Sequence, residues 1–309
     1  MTLYILRRIL GFIPVMFAII TMTFFLIRLA PGGPFDSERV LSESAKARLE
    51  AVYNLDAPLY RQYFDYLGGV VQGDLGPSYR KPSRTVTEWI ALRLPVSLEL
   101  GAYALCVALV LGMGAGLLAA LRPNTLTDYV PMSFAMAGIC IPNFVLGPLL
   151  VLVFALWLDW LPVAGWRDPV EKILPSITLG ALYAAYIARL SRGSMLEALS
   201  QDYIRTARAK GLGEAAVVFK HALRGGVQPV VAFLAPATAN LLTGSFVVET
   251  IFQVPGLGRE FVEAAFNRDY TMIIGTVLVY AFLVMALNLV ADVVQALLDP
   301  RVRQGHAHG

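Results

Sequence analysis

Apolar residues run through this chain in long blocks rather than in short alternations. Six stretches approach the ~20 residues that an α-helix needs to cross a bilayer: residues 9–29, 98–121, 130–158, 173–190, 227–252 and 272–298. The third is long enough to tilt, or to break near Pro142 and Pro148. The fourth is the weakest, since it carries Pro175 and several small residues and ends in Arg189. Arg7 and Arg8 precede the first run, which outlasts a signal-peptide core and is followed by no small-x-small cleavage site, so it is expected to stay as a membrane helix.

The polar positions between these runs predict an orientation. With the N-terminus in the cytoplasm, Arg7, Arg8, Arg122, Arg189, Arg192, Arg205, Arg208, Lys210, Lys220, Arg224, Arg301 and Arg303 all fall inside. Only Arg167, Lys172, Arg259 and Arg268 fall in the two short outer loops. The positive-inside bias therefore predicts both termini cytoplasmic, consistent with an even number of spans. The long outer segment, residues 31–97, has equal numbers of basic and acidic residues. Within it, "SESAKARLEAVYNLDAPLYRQYFDYL" predicts two short amphipathic helices joined at Asp56-Ala57-Pro58. Leu49, Val52 and Tyr53 mark one apolar face, and Leu59, Phe64 and Leu67 the other. Asp56 is placed to cap the second helix and Pro58 to sit in its first turn. Such a segment is either a lid packed on the spans or a platform at the outer mouth.

Inside the runs, Gly112 and Gly116 share a helix face and predict close backbone approach by another helix. Pro14, Pro142, Pro148, Pro229 and Pro236 free backbone carbonyls that need partners, so some spans should surround a cavity. Arg28, Glu99 and Glu249 fall near the outer boundary, within reach of water or headgroups. Asp292, beside Asn288, predicts an interhelical polar contact.

Composition sharpens this picture. Hydrophobic residues make up 57% of the 309 residues and charged residues 15%, against about 25% charged in a soluble domain. Mean hydropathy is +0.63. The net charge of +3 is too small to point to nucleic acid. Cys106 and Cys140 lie in apolar runs and are expected to be buried small hydrophobes, not a disulfide or metal site. His306 and His308 belong to a short polar tail, 304–309, rather than to a metal site.

One segment breaks the apolar pattern with charge. Across residues 192–226, "SMLE" from Ser194 to Glu197 fits a capping box. Leu196, Leu199, Tyr203 and Ala207 then recur at helical spacing, with Glu197, Gln201, Arg205 and Arg208 on another face. Gly211 supplies a helix stop, and a second helix is expected over 214–223, before Gly225-Gly226. A DNA-binding helix-turn-helix does not fit, because both ends are tethered to spans. A basic patch on anionic lipid and a docking helix for a cytoplasmic partner both fit, and the residues leave the two open.

The words of this segment are nonetheless distinctive. "DYIRTARAKGL" followed by "HALRGGVQPVV" resembles the cytoplasmic loop, the EAA loop, of bacterial ABC-importer permeases. The oligopeptide/dipeptide branch of that family is also similar at "ILRRILGFIPVMFAIITMTFFLIRLAPGGPF", "YNLDAPLYRQYFDYL", "GDLGPS", "VVETIFQVPGLGREFVEAAFNRDY" and "DPRVR". The resemblance covers essentially the whole chain. It implies an all-α membrane protein of six transmembrane helices with the type I ABC importer permease fold. Its parts would be an N-terminal helix (1–30), a periplasmic helical insertion (31–97), and a five-helix core (98–303) carrying the loop 192–226.

The family's pattern of Glu-Ala-Ala, three residues, then glycine falls on Arg205, Thr206, Ala207, Arg208, Ala209, Lys210 and Gly211. Arg205 replaces the acidic residue, and the family's Leu-Pro falls on Leu223 and Arg224, so the helix-turn geometry carries over and the charge pairing does not. With Tyr203, these seven residues are the implied contact with a separate ATPase. No G-x-x-x-x-G-K-[ST] phosphate loop occurs in the sequence, so the chain itself is expected to bind no cofactor and catalyse no reaction. ATP and Mg would sit on two partner ATPase subunits. The other implied partners are a homologous second permease subunit, a periplasmic peptide-binding protein and the bacterial inner membrane. Dipeptides, nickel complexes or other peptide-like cargo are alternatives to oligopeptides. An ion-driven secondary transporter is the other alternative, disfavoured by few carboxylates in the spans and no evident inverted repeat.

Overall fold

The computed structural model of the chain describes residues 2–29, 33–35 and 53–298. The helix expected before Tyr53 and the tail 304–309 lie outside the described residues. Among the described residues, twelve helices follow one another, besides a 3-10 turn at Pro169–Lys172: α1 Thr2–Leu29, α2 Leu59–Val71, α3 Val86–Leu121, α4 Leu126–Cys140, α5 Asn143–Trp157, α6 Ile173–Ser200, α7 Asp202–Ala209, α8 Glu214–Gly226, α9 Gln228–Leu242, α10 Phe246–Ile251, α11 Leu257–Asn267 and α12 Tyr270–Leu298. Among the described residues there is no β-strand, only one bridge between Pro77 and Thr85. Among the described residues, four helices are long and apolar enough to cross a membrane alone, and up to six spans result if each of two bent pairs counts as one.

The bent pairs decide one expectation and correct another. The third apolar run breaks rather than tilts: α4 and α5 meet at 119°. Pro142 favours extended backbone at Ile141, which takes φ −91 and ψ 115, because the proline ring crowds the residue before it. Pro148 then lies inside α5, which widens to a π-turn over Val151–Trp157. The fifth run is also divided. Helix α9 ends at Leu242, Gly244 takes φ 74, and Ser245 restarts the chain as α10 by accepting from Val248 N at 3.4 Å. It is α8 and α9, bent by 53°, that together reach spanning length. The second span differs too, since α3 begins at Val86 rather than near Leu98 and a boundary after residue 97 falls within a helix.

The chain clusters into two compact units, one of residues 1–96 and 255–285, the other of 97–254 and 286–309. In the first, Ile20, Phe24, Tyr63, Ile274 and Leu278 form one core, and Val86, Ile90, Leu257, Ala264 and Met272 another. Helix α2 buries Tyr63 and packs Tyr66, Leu67 and Val70 against the first of these, while Leu59 and Phe64 are exposed. The expected apolar face is thus rotated, because the tyrosines bring a polar end: the hydroxyls of Tyr63 and Thr21 lie 2.6 Å apart. Asp56 does not cap α2. Pro58 occupies the N-cap position, which leaves Asp56 two residues too early, and Gln62 Nε2 instead donates to Leu55 O and Ala57 O at 3.0 and 2.8 Å. Arg28 folds back over the Phe24 ring at 3.5 Å and donates to Gln62 Oε1.

A buried carboxylate organises the rest of this unit. Asp269 accepts from Ser78 Oγ, from Tyr79 N and Arg80 N at 3.2 and 3.4 Å, from Thr271 Oγ1 at 3.1 Å and from Met272 N at 3.3 Å. One side chain thereby caps α12 and holds the 78–80 backbone. Nearby, Glu260 is paired with Lys81 and lies 3.5 Å from Arg93 Nε. Tyr79 packs among Phe35, Tyr53 and Tyr270, and burial pushes its hydroxyl up to about 12.

The second unit is built on backbone contact between α3 and α6. A Cβ on Gly112 would lie 2.6 Å from Ala184 O, one on Gly180 2.6 Å from Ala104 O, and one on Gly116 2.5 Å from Ala188 O. The predicted role of Gly112 and Gly116 is met, with Gly180 as a reciprocal site. Glu249 does not reach water or headgroups. It is fully buried and accepts from Ser97 Oγ at 2.7 Å. Glu99 is held by Lys172 Nζ at 2.6 Å and Trp166 Nε1 at 3.1 Å. Contrary to expectation, Cys106 and Cys140 are exposed on this chain.

Candidate functional site

The charged segment is organised by where α6 ends. This helix runs past Leu190 to Ser200, so Ser194 is interior and not a cap. Its hydroxyl donates to Leu190 O at 2.9 Å and to Gly226 O at 2.5 Å, tying α6 to the end of α8. A side chain at Gly226 would run into Met195, so the close approach requires glycine there. The capping-box reading fails because this tertiary acceptor, 32 residues away, claims the hydroxyl.

The actual break is at Gln201, whose φ −70 and ψ 150 turn the chain before α7. That break resets the helical phase. Ile204 and Ala207, three apart, become the buried face, and Tyr203 is left 46% exposed. The two anchors pack with Met195 and Ala198 of α6, Val217, Val218 and Ala222 of α8, and Ala120 at the end of α3. Burying an isoleucine of this kind contributes about 1.5–3 kcal/mol, enough to fix an eight-residue helix that could not persist alone.

Outward, α7 presents Tyr203, Arg205, Thr206, Arg208 and Ala209, followed by Lys210 and Gly211, all exposed. Of the eight residues singled out from sequence, only Ala207 is buried, as an anchor. Gly211 adopts φ 78 and its N–H donates to Arg208 O at 2.9 Å; a left-handed residue at this position closes a helix. Arg208 forks onto Glu214 across the turn, Nε to Oε1 at 2.8 Å and Nη2 to Oε2 at 3.1 Å. This contact raises the basicity of the guanidinium. It joins the last turn of α7 to the first of α8, where each charge also suits its helix dipole. Arg205 Nη1 reaches Asp202 Oδ1 at 3.4 Å.

A second clamp braces the platform. Asp128, at the start of α4, is buried and accepts from Arg192 Nε and Nη2, both at 2.6 Å, and from Asn124 N at 2.9 Å. Sequence reading missed Ile204, Glu214 and the Asp128–Arg192 pair. The first was hidden by the phase reset. The pair was hidden by a separation of 64 positions, although an acidic residue just after a span and an arginine just before a loop were both visible. Among the described residues, no cluster of three His, Cys, Asp or Glu could hold a metal ion.

Comparison with known proteins bears on the whole chain. Residues 112–304 match the family model described as binding-protein-dependent transport system inner membrane component, and residues 1–101 match the N-terminal model of such membrane components. The chain is 45% identical to "Oligopeptide transport system permease protein OppB" of Haemophilus influenzae, over 97% of this chain and 99% of the relative. It is 46% identical to the protein of the same name from Salmonella typhimurium, with the same coverage. Identity to "Dipeptide transport system permease protein DppB" of Bacillus subtilis is 44%, over 98% of each chain. The crystal structure of an amino acid ABC transporter with histidines shares the fold, with a TM-score of 0.53 at 16% identity over 68% of this chain and 94% of that one.

Proposed function

This chain belongs to the family of inner membrane components of binding-protein-dependent transport systems, a permease subunit of an ABC importer in the inner membrane, and on that premise we propose that it imports oligopeptides. In this reading α7 and the turn at Gly211 are the coupling element, seated in a groove of a separate ATPase subunit. The chain forms half of a translocation path with a homologous second permease. Two ATPase subunits bind ATP and Mg on the cytoplasmic side, which also holds both termini. A peptide-binding protein delivers cargo from the other side.

The observation that carries the coupling assignment is the division of α7 into two faces. Ile204 and Ala207 are anchored in a core shared with α3, α6 and α8, while the face with Tyr203, Arg205 and Arg208 is open. A helix held on one side and bare on the other transmits displacement to the spans behind it without deforming. That is what a two-state transporter requires of its coupling element.

The test is Gly211→Val in the complete transporter reconstituted into vesicles. The space around Gly211 is open within this chain, with no atom outside its chain neighbours within 4 Å of an added Cβ, so inside the subunit the variant acts through backbone strain of about 1–3 kcal/mol at φ 78. Expected are normal assembly, ATP hydrolysis no longer stimulated by loaded binding protein, and uptake reduced at least tenfold. Gly211→Asn, which tolerates left-handed backbone, should retain most uptake. Undiminished coupled uptake in the valine variant would overturn the assignment. The dipeptide permease relative supports a second cargo reading, and competition between labelled di- and pentapeptides decides between them.

A further inference from the structure

Beside the exposed face of α7 lies a cleft of about 380 Å³ lined by Tyr203, Lys220, His221, Arg224, Gly225 and Gln228. Its charges differ from those around it. Arg192, Arg205 and Arg208 each reach a carboxylate, at 2.6, 3.4 and 2.8 Å. Among the described residues, none supplies a carboxylate to Lys220 or Arg224. Two cations four residues apart, with an imidazole between them, a phenol hydroxyl and a carboxamide, thus converge on one concavity without an anion. Lys220 and His221 lie in a π-turn from Val217 to Ala222, and Arg224 in the α-helical turn that follows it. Such a π-turn departs from the α-helical ladder and recurs at functional sites.

The surroundings indicate where the anion comes from. Helices α8 and α9 reach spanning length only as a pair, and the cleft sits at their junction, just before the apolar α9. Phe219, next to Lys220, is 62% exposed. An exposed aromatic ring beside lysine and arginine at the end of an apolar segment is the arrangement found where a chain meets lipid headgroups. Basic residues there attract anionic lipid by about 1 kcal/mol each.

We propose that this cleft binds the phosphate of an anionic phospholipid headgroup. Lys220 and Arg224 pair with its charge, and Tyr203, His221 and Gln228 surround it with polar groups. Headgroup binding fixes the junction of α8 and α9 against the membrane surface, so the lipid is a structural ligand of the permease. The inference rests on membrane insertion of the α8–α9 pair and is independent of the cargo; of the residues assigned to the ATPase contact it shares Tyr203 alone.

The experiment uses the complete transporter purified from membranes and transferred to nanodiscs of phosphatidylglycerol and phosphatidylcholine, or of phosphatidylcholine alone. Native mass spectrometry counts the phosphatidylglycerol retained after delipidation. The double variant Lys220→Gln/Arg224→Gln should retain roughly thirtyfold less, and Arg122→Gln, on another loop, should retain as much as the parent. Equal retention in the double variant overturns the proposal. Displacement of the lipid by millimolar inorganic phosphate, with ATP hydrolysis indifferent to nanodisc composition, overturns it in favour of a soluble anion. Loss of the ATPase subunits from the double variant with lipid retention unchanged overturns it in favour of a protein partner. The Gly211 variants report on coupling separately, because they leave this cleft untouched.

Discussion

The Asp269 network of the first unit and the α7 platform of the second solve opposite problems. Around Asp269, charge is inside: a buried carboxylate gathers donors from two backbone amides, two hydroxyls and a helix N-terminus. In the platform, charge is outside: apolar anchors lie beneath, and ion pairs such as Arg208–Glu214 lie on the surface. A polar hub of the first kind fixes one geometry, since every group left behind by a rearrangement would be unpaired. An apolar anchor under an open polar face fixes the helix yet leaves its surface chemistry available for a partner. The chain therefore invests rigidity differently according to whether a region must keep a shape or present one.

The largest test of that contrast is Asp269→Ala. Several buried donors lose their acceptor, each at about 1–3 kcal/mol, so the variant should lose roughly 4 kcal/mol of stability. Thermal unfolding of detergent-solubilised protein measures it, and a shift within error of the parent would contradict the hub. Next is Ile204→Ala, which should cost about 3 kcal/mol as a cavity-forming change. Because the anchor is local, limited proteolysis should cut first within residues 201–213, with the first unit's unfolding unaltered. Cutting at the 78–80 segment first would show that the two regions are not separate in the way described. Smallest is the surface pair. Arg208→Ala and Glu214→Ala should each have minor effects on thermal unfolding, and the coupling between them in a double-mutant cycle should shrink at high salt. A large, salt-insensitive coupling would move Arg208–Glu214 into the class of Asp269.

How far these regions could be read from sequence follows from the range of the interactions that shape them. Gly211 was legible because a left-handed helix stop is a property of one residue. Gly112 and Gly116 were legible because their spacing places them on one face. The phase of α7 was not, since the break at Gln201 carries neither glycine nor proline, and Ser194 looks like a cap until Gly226 O is brought to it. Glu249 was misjudged for the same reason: its partner Ser97 is 152 positions away, and hydropathy places a lone carboxylate at the membrane edge by default. In α2, counting leucine and phenylalanine as the apolar face overlooked tyrosines that pack by their rings. A break in the third apolar run was anticipated from Pro142, but its 119° turn depends on packing that no local signal encodes.

The three glycine contacts between α3 and α6 have a mechanical consequence. Where helices meet through side chains, rotamers yield and one helix slides past its neighbour by small steps. Here carbonyl oxygens of one helix rest directly against α-carbons of the other at Gly180, Gly112 and Gly116, leaving no compliant layer to absorb shear. The two helices form a composite strut, so a displacement imposed at Asp202 travels up α6 and drags α3 with it instead of dissipating at the seam.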